Sequence, residues 1–535
     1  MERDKLNEMN SKAHDREHAH WDRRGFLKTL GIAGAGAISF GSSTLSVVDS
    51  HFLTNALSEA DSDRILVLIR LKGGNDGLNS IVPLYDFDLY ANKRPKIHIP
   101  QNNLIKLNDD FGVPDFMGNL DPLWKEGAMK VIHGVGYENQ NLSHFKSSEI
   151  WATTSKDSYV NSGWLGRYYE EKYMDYMTNP PEKPLAVQIG SGGDLIFNGD
   201  LTSYAFSVSS PQRLKKVAEN GTLFDTQISS DNLHGDQVAF LREASNTTFR
   251  YASIINDAYD TSNDYDAYQD NSFDLQMSLV SRFIKGGLGT KVYMVTLGGF
   301  DTHANQPTRH EILMRRLSDA IKTFYDDLDE FGIADKVLSM TFSEFGRRVA
   351  ENGSSGTDHG SAAPIMLFGP ALRGSGFIGK HPDLRDLNSK GNMANSVDFR
   401  SVYATILSDW LCADPSYVNN AVIGSEYNLL GLGLGCGGVE NLELTDDPLL
   451  QLHAAVNDDQ GASLYLSINE PSNVEVAIFD ILGRKVGTAF SNQLNSGSHS
   501  LPLRTSAQAR LSPGQYFYKI RVNNDKTYSR SFLVN

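Results

Sequence analysis

Carboxylates and imidazoles that follow short apolar runs are the residues of this sequence best suited to chemistry. Side chains of these two types suit Zn²⁺, Mn²⁺ or Mg²⁺, which take oxygen or nitrogen ligands. Two such ions about 4 Å apart can activate a nucleophile and stabilise the leaving oxygen in phosphoryl or sulfuryl transfer. The pattern therefore predicts a divalent metal site, and the predicted ligands are Asp76, Asp301, His303, Glu344, Asp358 and His359.

A second group of polar residues could act on a substrate. Ser143 and His144 open the predicted helix SHFKSSEIWATT, and Ser143 is either a helix cap or a nucleophile at an anion-binding helix terminus. Arg347 and Arg348 could clamp an anionic substrate, or pair with nearby acids. The predicted catalytic residues are Ser143, His144 and Arg347. His310 is a further candidate ligand, at the beginning of another helix.

Five short apolar runs predict the buried parallel strands that would position these residues. They span 64–70, 129–135, 291–298, 336–342 and 364–369. Apolar residues at helical spacing from Ile312 to Leu328 predict an amphipathic helix between the third and fourth strands. Polar motifs follow the first four strands, and GTDHGSAAP precedes the fifth.

Ligands bind outside the carboxyl ends of the strands in open α/β sheets, so these motifs are expected to converge on one cleft. The side chains of Asp76, Asp301, Glu344 and His359 are expected to lie within roughly 10 Å of one another, as a site of one or two metals requires.

Composition excludes several classes of protein. The 535 residues carry 49 Lys and Arg against 65 Asp and Glu, a net charge of −16, so no basic face is available for nucleic acid. The two cysteines, Cys412 and Cys436, allow at most one disulfide and lack the paired spacing of a zinc site. The 40% hydrophobic and 21% charged fractions are typical of a folded globular protein.

Residues 1–50 are predicted to be a twin-arginine signal region. DRRGFLKTLG contains adjacent Arg23 and Arg24, and the Gly-, Ala- and Ser-rich stretch after it suits a removable signal better than a membrane anchor. An ordinary short amphipathic helix is the alternative. No other segment is apolar enough to span a bilayer, so the mature protein is expected to have no transmembrane anchor.

Residues 455–535 are predicted to form a small antiparallel β-sandwich. Short runs such as NVEVAIFDI and GQYFYKIRV alternate with period two and are separated by turn residues. IFDILGRKV, LSPGQYFYKIRV and the final SRSFLVN resemble the C-terminal sorting domain of the type IX secretion system. That resemblance implies passage through the outer membrane and contact with the type IX machinery. A carbohydrate-binding sandwich is the alternative.

The middle of the chain resembles a known family. LIRLKGGNDGLNSIVPL, SHFKSSEIWAT, LGGFDTHANQ, TFSEFGRRVAENGSSGTDHGSAAPIMLFG and VDFRSVYATILSDWL occur in the order of the domain-of-unknown-function 1501 family. That family is similar to the alkaline phosphatase and sulfatase superfamily. The resemblance implies a parallel sheet flanked by helices and a two-metal site.

Carried over by motif, the resemblance assigns roles to several residues. It implies that Asp76 is an early metal ligand, that Ser143 is the nucleophile, and that Asp301 with His303 or His310 serves one metal. Glu344 resembles the acid of an Asp-His pair in which Phe345 replaces the His. In an alternative register, Asp358 and His359 match that pair directly and Glu344 lies outside the metal shell; in either register one His of the superfamily set is missing or displaced.

The sequence thus predicts an α/β fold at 60–440, alkaline-phosphatase-like with a mainly parallel sheet flanked by helices, followed by the sandwich. The predicted function is an exported, metal-dependent hydrolase of phosphate or sulfate esters on a small or polymeric anionic substrate. The alternative is a non-catalytic surface or assembly protein that binds an anionic ligand or partner on a degenerate core. Export would use the twin-arginine translocase and then the type IX machinery, passing the periplasm to reach the cell surface or exterior.

Overall fold

The computed structural model describes residues 38–40, 43–45 and 63–534, with gaps at 157–159, 174–175, 177–179, 191, 201, 221–232, 414–416, 426, 436–449, 459–460, 469–470, 481–483, 496, 505–513 and 524–525. The chain divides into two compact units, Met1–Asp61 and Ser62–Asn535. The predicted twin-arginine pair, Arg23 and Arg24, lies outside the described residues.

The described strands, in chain order, are β1 (Ile38–Phe40), β2 (Ser43–Leu45), β3 (Ile65–Lys72), β4 (Val82–Pro83), β5 (Leu104–Lys106), β6 (Phe111–Pro114), β7 (Met129–Gly136), β8 (Ala186–Ile189), β9 (Ala205–Val208), β10 (Val292–Gly298), β11 (Val337–Phe342), β12 (Gly346–Arg347), β13 (His359–Gly360), β14 (Ala363–Phe368), β15 (Gly376–Ile378), β16 (Val397–Asp398), β17 (Leu450–Asp458), β18 (Gly461–Ile468), β19 (Ser472–Asp480), β20 (Lys485–Leu494), β21 (Gly497–Pro502), β22 (Gly514–Val522) and β23 (Lys526–Val534).

The described α-helices are α1 (Gly77–Ser80), α2 (Phe87–Lys93), α3 (Leu120–Lys125), α4 (His144–Thr153), α5 (Trp164–Lys172), α6 (Pro211–Asn220), α7 (Leu233–Thr261), α8 (Ser272–Lys285), α9 (Gln306–Glu330) and α10 (Phe399–Thr405). A π-helical stretch, Ile406–Trp410, continues α10. Among the described residues, no helix combines the length and apolar character needed to cross a membrane. In the first unit, β1 and β2 form an antiparallel pair.

A mainly parallel sheet forms the centre of the second unit. Its strand order is β15-β7-β14-β11-β3-β10-β8-β9, and β16 pairs with β7 at one end. The central strand β3 runs parallel to both β10 and β11, and β8 and β9 continue the parallel set. This arrangement confirms the predicted α/β class with a mainly parallel sheet.

Both faces of the sheet are covered by helices, which explains why its strands are continuous apolar runs. On β3, Val67 and Ile69 face one core with α8 and α9, whereas Leu66 and Leu68 face the other with α4, α5 and α10. Helix α9 is the amphipathic helix predicted between the third and fourth strands. It buries Leu313, Leu317, Ala320, Ile321, Phe324 and Leu328, while Ile312, assigned to the same face from the sequence, is exposed.

One strand runs against the prediction. The segment 364–369 forms β14, which is antiparallel to both of its neighbours, β11 and β7, instead of parallel. A parallel pairing would require a crossover from one edge of the sheet to the other. Residues 343–362 make no such crossover, because they remain at the carboxyl edge of β11 and include the short β12–β13 pair.

The C-terminal segment forms two antiparallel sheets, β17-β18-β21 and β20-β19-β22-β23. Alternate residues Val474, Val476 and Ile478 of β19 are buried with Tyr518 and Ile520 of β22 in their own hydrophobic core. The alternation predicted from the sequence therefore gives the inner face of this small β domain.

Candidate metal centre

Loops at the carboxyl edge of the sheet bring the polar motifs together. Asp301 follows β10, Glu344 follows β11, His359 lies in β13, and His144 is the first residue of α4. The loop after β3 packs so closely on the loop after β10 that a Cβ on Gly73 would lie 2.4 Å from the backbone nitrogen of Asp301. Gly73 also has a φ of +125°, so glycine is required there.

Asp301 is the centre of the cluster. Its Oδ1 lies 3.1 Å from His303 Nε2 and 3.2 Å from His359 Nε2, and it accepts a hydrogen bond of 2.6 Å from the Arg347 guanidinium. Burial opposes ionisation of Asp301, but the hydrogen bond and the positive charge of Arg347 outweigh it, and the pKa of Asp301 is lowered to about 2. Asp301 is therefore a carboxylate over the whole physiological pH range.

The two imidazoles beside Asp301 face one another through Nε2. His303 Nε2 and His359 Nε2 are 3.0 Å apart. His359 Nδ1 donates a hydrogen bond of 2.8 Å to the carbonyl of Leu142, which can only accept, so the Nε2 of neutral His359 carries a free lone pair. Burial lowers the pKa of His359 and favours this neutral form.

His144 lies on the other side of Asp301. Its Nε2 is 3.6 Å from Asp301 Oδ2, and its Nδ1 donates a hydrogen bond of 2.8 Å to Glu344 Oε1. His144, Asp301 and His359 each offer a ligand atom within 4.8 Å of the other two. Three imidazoles and one carboxylate thus converge on one place.

The donor set fits a divalent metal. The ligand atoms of Asp301, His303 and His359 lie 3.0, 3.1 and 3.2 Å from one another. Bonds of about 2.0 Å at tetrahedral angles, as around Zn²⁺, separate neighbouring ligand atoms by about 3.3 Å, which is close to these distances. The side chains of these residues are 23–47% exposed, so a ligand in solution can reach them.

Glu344 and Asp358 lie one step behind the imidazoles. Glu344 is 3% exposed, and its Oε1 also accepts from the backbone N–H of Gly73 at 2.9 Å. Asp358 is half exposed, with Oδ1 3.5 Å from His303 Nδ1. Phe345 packs its ring against His144 and His359, with centroids 4.8 and 4.5 Å apart.

The structure places Asp76 in a different set of contacts. Its Oδ2 accepts a hydrogen bond of 2.6 Å from Arg94 and another from Gln306, and both charged side chains are buried. Burial alone would raise the pKa of Asp76, but the charge and hydrogen bond of Arg94 lower it. His310 is also buried and bonds Asn75 Oδ1 through Nε2 at 3.1 Å. Its pKa is lowered to about 4 by burial.

Arg347 has its guanidinium committed to the protein. It is 1% exposed and donates to the carbonyls of Gly73, Gly74, Phe300 and Thr357 as well as to Asp301. Of the two roles considered for the arginine pair, it therefore takes the pairing with an acid. Arg348 is 40% exposed, and its NH1 is 3.7 Å from Asp358 Oδ2.

Ser143 stands at the N-terminus of α4 without capping it. Its side chain makes no capping hydrogen bond within the described residues, although the residue has the extended backbone of an N-cap. The residues on both sides are held by the cluster, since Leu142 accepts from His359 and His144 donates to Glu344. Ser143 itself is exposed.

Three residues that contact the predicted ligands were not identified from the sequence. Arg94 and Gln306 donate hydrogen bonds to the carboxylate of Asp76. Gly73 has no side chain, and this allows the backbone of Asp301 to approach it. The glycine pair in KGGNDGLN after an apolar run is the kind of signal that could have indicated a close backbone approach. No local signal could have paired Arg94 with Asp76, because their contact depends on how α2 packs.

Comparisons with known proteins match two parts of the chain. A family model described as "Protein of unknown function (DUF1501)" matches residues 127–431. A model described as "Secretion system C-terminal sorting domain" matches residues 462–535, which indicates that this segment serves secretion. No curated protein matches the sequence significantly.

Solved structures with related folds share little sequence with the chain. A sulfatase from Pseudoalteromonas sp. is 11% identical with a TM-score of 0.30, over 88% of this chain and 91% of that one. A protein in the alkaline phosphatase superfamily from Vibrio parahaemolyticus is 10% identical with a TM-score of 0.26, over 84% and 82%. An alkaline phosphatase from the Antarctic bacterium TAB5 is 8% identical with a TM-score of 0.26, over 59% and 94%. Similarity at this level of sequence identity and TM-score does not indicate that the chain shares a reaction with these proteins.

Proposed function

The chain belongs to the DUF1501 family, whose model covers more than half of it, and we propose that it is a metal-dependent hydrolase of phosphate or sulfate esters. The observation that carries this proposal is the convergence of Asp301, His303 and His359, whose ligand atoms lie 3.0–3.2 Å apart. A carboxylate and two imidazole nitrogens at these separations can hold a divalent cation between them.

The proposed ligands are Asp301, His303 and His359, with His144 beside them. A set this rich in imidazole favours Zn²⁺ or Mn²⁺ over Mg²⁺, which prefers oxygen. When bound, the ion supplies Lewis acidity for the transferred phosphoryl or sulfuryl group. Asp76, which was predicted as a ligand, is proposed instead to stabilise the fold through Arg94.

Ser143 is the proposed nucleophile. Its hydroxyl is exposed and free of a capping bond, and the neighbouring Leu142 and His144 tie its backbone to the cluster. Attack by Ser143 Oγ would form a new bond to phosphorus or sulfur and release the alcohol of the ester. Hydrolysis of that intermediate by water would restore the serine.

Export is proposed to use two address segments at opposite ends of the chain. Residues 1–50 are proposed as a twin-arginine signal, 60–440 as the catalytic body, and 455–535 as the type IX sorting domain that leads to the cell surface or exterior. The match to a secretion-system sorting domain at residues 462–535 supports the second address.

One observation favours the non-catalytic alternative. The Asp76 carboxylate is neutralised by buried Arg94, and Phe345 packs against His144 and His359, so neither position supplies a ligand for a second ion. A core that holds a single metal ion could bind an anionic ligand or partner without turnover. Ester hydrolysis by the pure protein separates the two functions.

The test combines metal content with turnover. Full-length protein purified without chelator is expected to hold about one Zn²⁺ or Mn²⁺ per chain and to hydrolyse p-nitrophenyl phosphate or sulfate. Asp301→Asn is expected to lose both properties, whereas Asp319→Asn, which alters an acid on the surface of α9, keeps them. Bound metal without hydrolysis of any aryl ester would favour the binding protein, and protein free of metal would overturn the hydrolase.

A further inference from the structure

Glu344 is a buried acidic residue beside the metal centre. It is 3% exposed, and its Oε1 is shared by the backbone N–H of Gly73 at 2.9 Å and by His144 Nδ1 at 2.8 Å. Its backbone carbonyl accepts from Gln140 Nε2 at 3.1 Å and from the Ser147 hydroxyl, so the residue is fixed at both ends. Burying a carboxylate this deeply is costly, and the hydrogen bonds to Oε1 offset part of that cost.

The contact determines which nitrogen of His144 faces the cluster. A carboxylate only accepts hydrogen bonds, so the proton of the neutral ring lies on Nδ1 and Nε2 is left with a free lone pair. That nitrogen is 3.6 Å from Asp301 Oδ2, which is itself an acceptor. A divalent cation between these two acceptors would replace their repulsion by attraction to the ion.

We propose that Glu344 is a positioning residue that presents His144 Nε2 as a further ligand of the metal, and that Glu344 does not bind the metal itself. The inference rests on the proposed metal site and deepens it. It differs from the predicted ligand set, which includes Glu344, and agrees with the alternative register, in which Glu344 lies outside the metal shell. Carboxylates behind ligating imidazoles fix the tautomer and raise the basicity of the ring, and their loss commonly weakens metal affinity 10- to 100-fold.

His359 has an equivalent contact, which supports the same reading of His144. The Leu142 carbonyl accepts from His359 Nδ1 at 2.8 Å, the same length as the bond from His144 to Glu344. In both rings Nδ1 is occupied by a protein acceptor and Nε2 points toward Asp301. The cluster is therefore built to offer nitrogens of one type to one ion.

The affinity of the full-length protein for Zn²⁺ tests the proposal in a double-mutant cycle. After removal of metal with a chelator, Zn²⁺ is titrated against a chromophoric competitor in the wild type, Glu344→Gln, His144→Ala and the double variant. Glu344→Gln is expected to weaken binding about 10-fold or more, and to weaken it no further once His144 is absent. Glu351→Gln is the matched control, because Glu351 accepts from the backbone N–H groups of Lys96 and Ile97, and this variant should bind as wild type.

Two results would overturn the proposal. Unchanged affinity in Glu344→Gln would deny it any role toward the metal. An equal loss in the presence and absence of His144 would make Glu344 a direct ligand. The visible spectrum of the Co²⁺-loaded protein gives a second measurement, because Glu344→Gln should change it in the same direction as His144→Ala, while a purely structural role would leave it unchanged.

Affinity is measured without an ester, so failure of this inference is distinct from failure of the proposed function. Tight Zn²⁺ binding with the expected cycle but no hydrolysis would contradict the hydrolase only. Hydrolysis with an additive cycle would contradict the role of Glu344 only, and a wild type that binds no Zn²⁺ would contradict both. Thermal unfolding of each metal-free variant establishes that a loss of affinity is not a loss of folding.

Discussion

At the scale of single residues, the metal centre is organised through nitrogens that face away from it. Glu344 and the Leu142 carbonyl hold the Nδ1 atoms of His144 and His359, so the opposite nitrogens are oriented before any ligand arrives. Arg347 likewise orients Asp301, because its guanidinium donates a hydrogen bond to the carboxylate. The ordering of these side chains is thus completed during folding, which favours binding.

Ser143 gives the sharpest test of catalysis at this scale. Ser143→Ala should lower ester turnover by about 10³-fold or more if the hydroxyl attacks the ester. Because Ser143 makes no capping bond, the free energy of unfolding should change by less than about 0.5 kcal/mol. Steady-state kinetics and urea unfolding measure the two quantities.

The matched control is Ser148→Ala, on the same helix. Ser148 accepts a hydrogen bond of 2.8 Å from Arg70, so its loss should cost stability and leave turnover close to wild type. Undiminished turnover in Ser143→Ala would remove Ser143 from the chemistry and return it to a structural place at the start of α4.

At the scale of elements, the centre depends on how closely adjacent strand ends approach. β3 and β10 pair in parallel up to Lys72 and Gly298, so the loops that follow them leave the sheet side by side. The loop after β3 has no side chain at Gly73, and the backbone of Asp301 occupies that space. Packing of the two loops and the hydrogen bond from Arg347 together set the place of the carboxylate.

Gly73→Ala should therefore displace Asp301. The new Cβ would meet the Asp301 backbone nitrogen at 2.4 Å in a backbone conformation with φ of +125°, which alanine tolerates poorly. We expect a loss of stability of about 1–3 kcal/mol and Zn²⁺ binding weakened by about 10-fold or more. Chelator competition and urea unfolding provide the measurements.

Gly298→Ala is the control at the neighbouring strand end, because a Cβ there meets nothing within 4 Å. It should bind Zn²⁺ like the wild type. If Gly73→Ala bound the ion as tightly as this control, the position of Asp301 would not depend on the contact between the two loops.

At the scale of the whole molecule, buried neutral histidines make the α/β body sensitive to acid. His133 is 2% exposed and stacks on Phe377 with ring centroids 4.9 Å apart, and burial lowers its pKa to about 3. Burial also lowers the pKa values of His310 and His381 to about 4. In the unfolded chain each imidazole binds a proton near pH 6.5.

Between about pH 6.5 and the lowered pKa, the unfolded chain binds these protons and the folded protein does not. The free energy of unfolding should therefore fall as the pH falls through this window. His133→Phe removes one such proton and should reduce the slope between pH 6 and 4.5 by ~1.4 kcal/mol per pH unit. Urea unfolding at a series of pH values measures the slope, and an unchanged slope would show that His133 titrates equally in both states.

Export is the other property of the entire chain. Arg23→Lys with Arg24→Lys should trap the precursor in the cytoplasm, because the translocase recognises the arginine pair, while Arg16→Lys should be exported normally. Deleting residues 462–535 should leave protein in the periplasm. Cell fractionation distinguishes these outcomes, and surface display of the truncated chain at the wild-type level would favour the carbohydrate-binding alternative.

Local sequence patterns are enough to predict the class of the fold and the edge of the sheet at which the polar residues gather. Apolar runs and helical spacing are local patterns, so β3, β10, β11 and the amphipathic α9 could be predicted from them. Because polar motifs follow those strands, the neighbourhood of Asp301, Glu344 and His359 could be predicted too.

Which of the polar residues contact one another depends on packing between segments that are distant in the chain. Asp76 follows β3 as predicted, yet packing of α2 brings Arg94 to its carboxylate. The guanidinium of Arg347 donates hydrogen bonds to backbone carbonyls from separate loops. The antiparallel direction of β14 and the bond from His144 to Glu344 likewise join residues far apart in the chain. Such pairings depend on distances of a few ångströms that are set by packing of the whole body, and no local pattern of residue types encodes them.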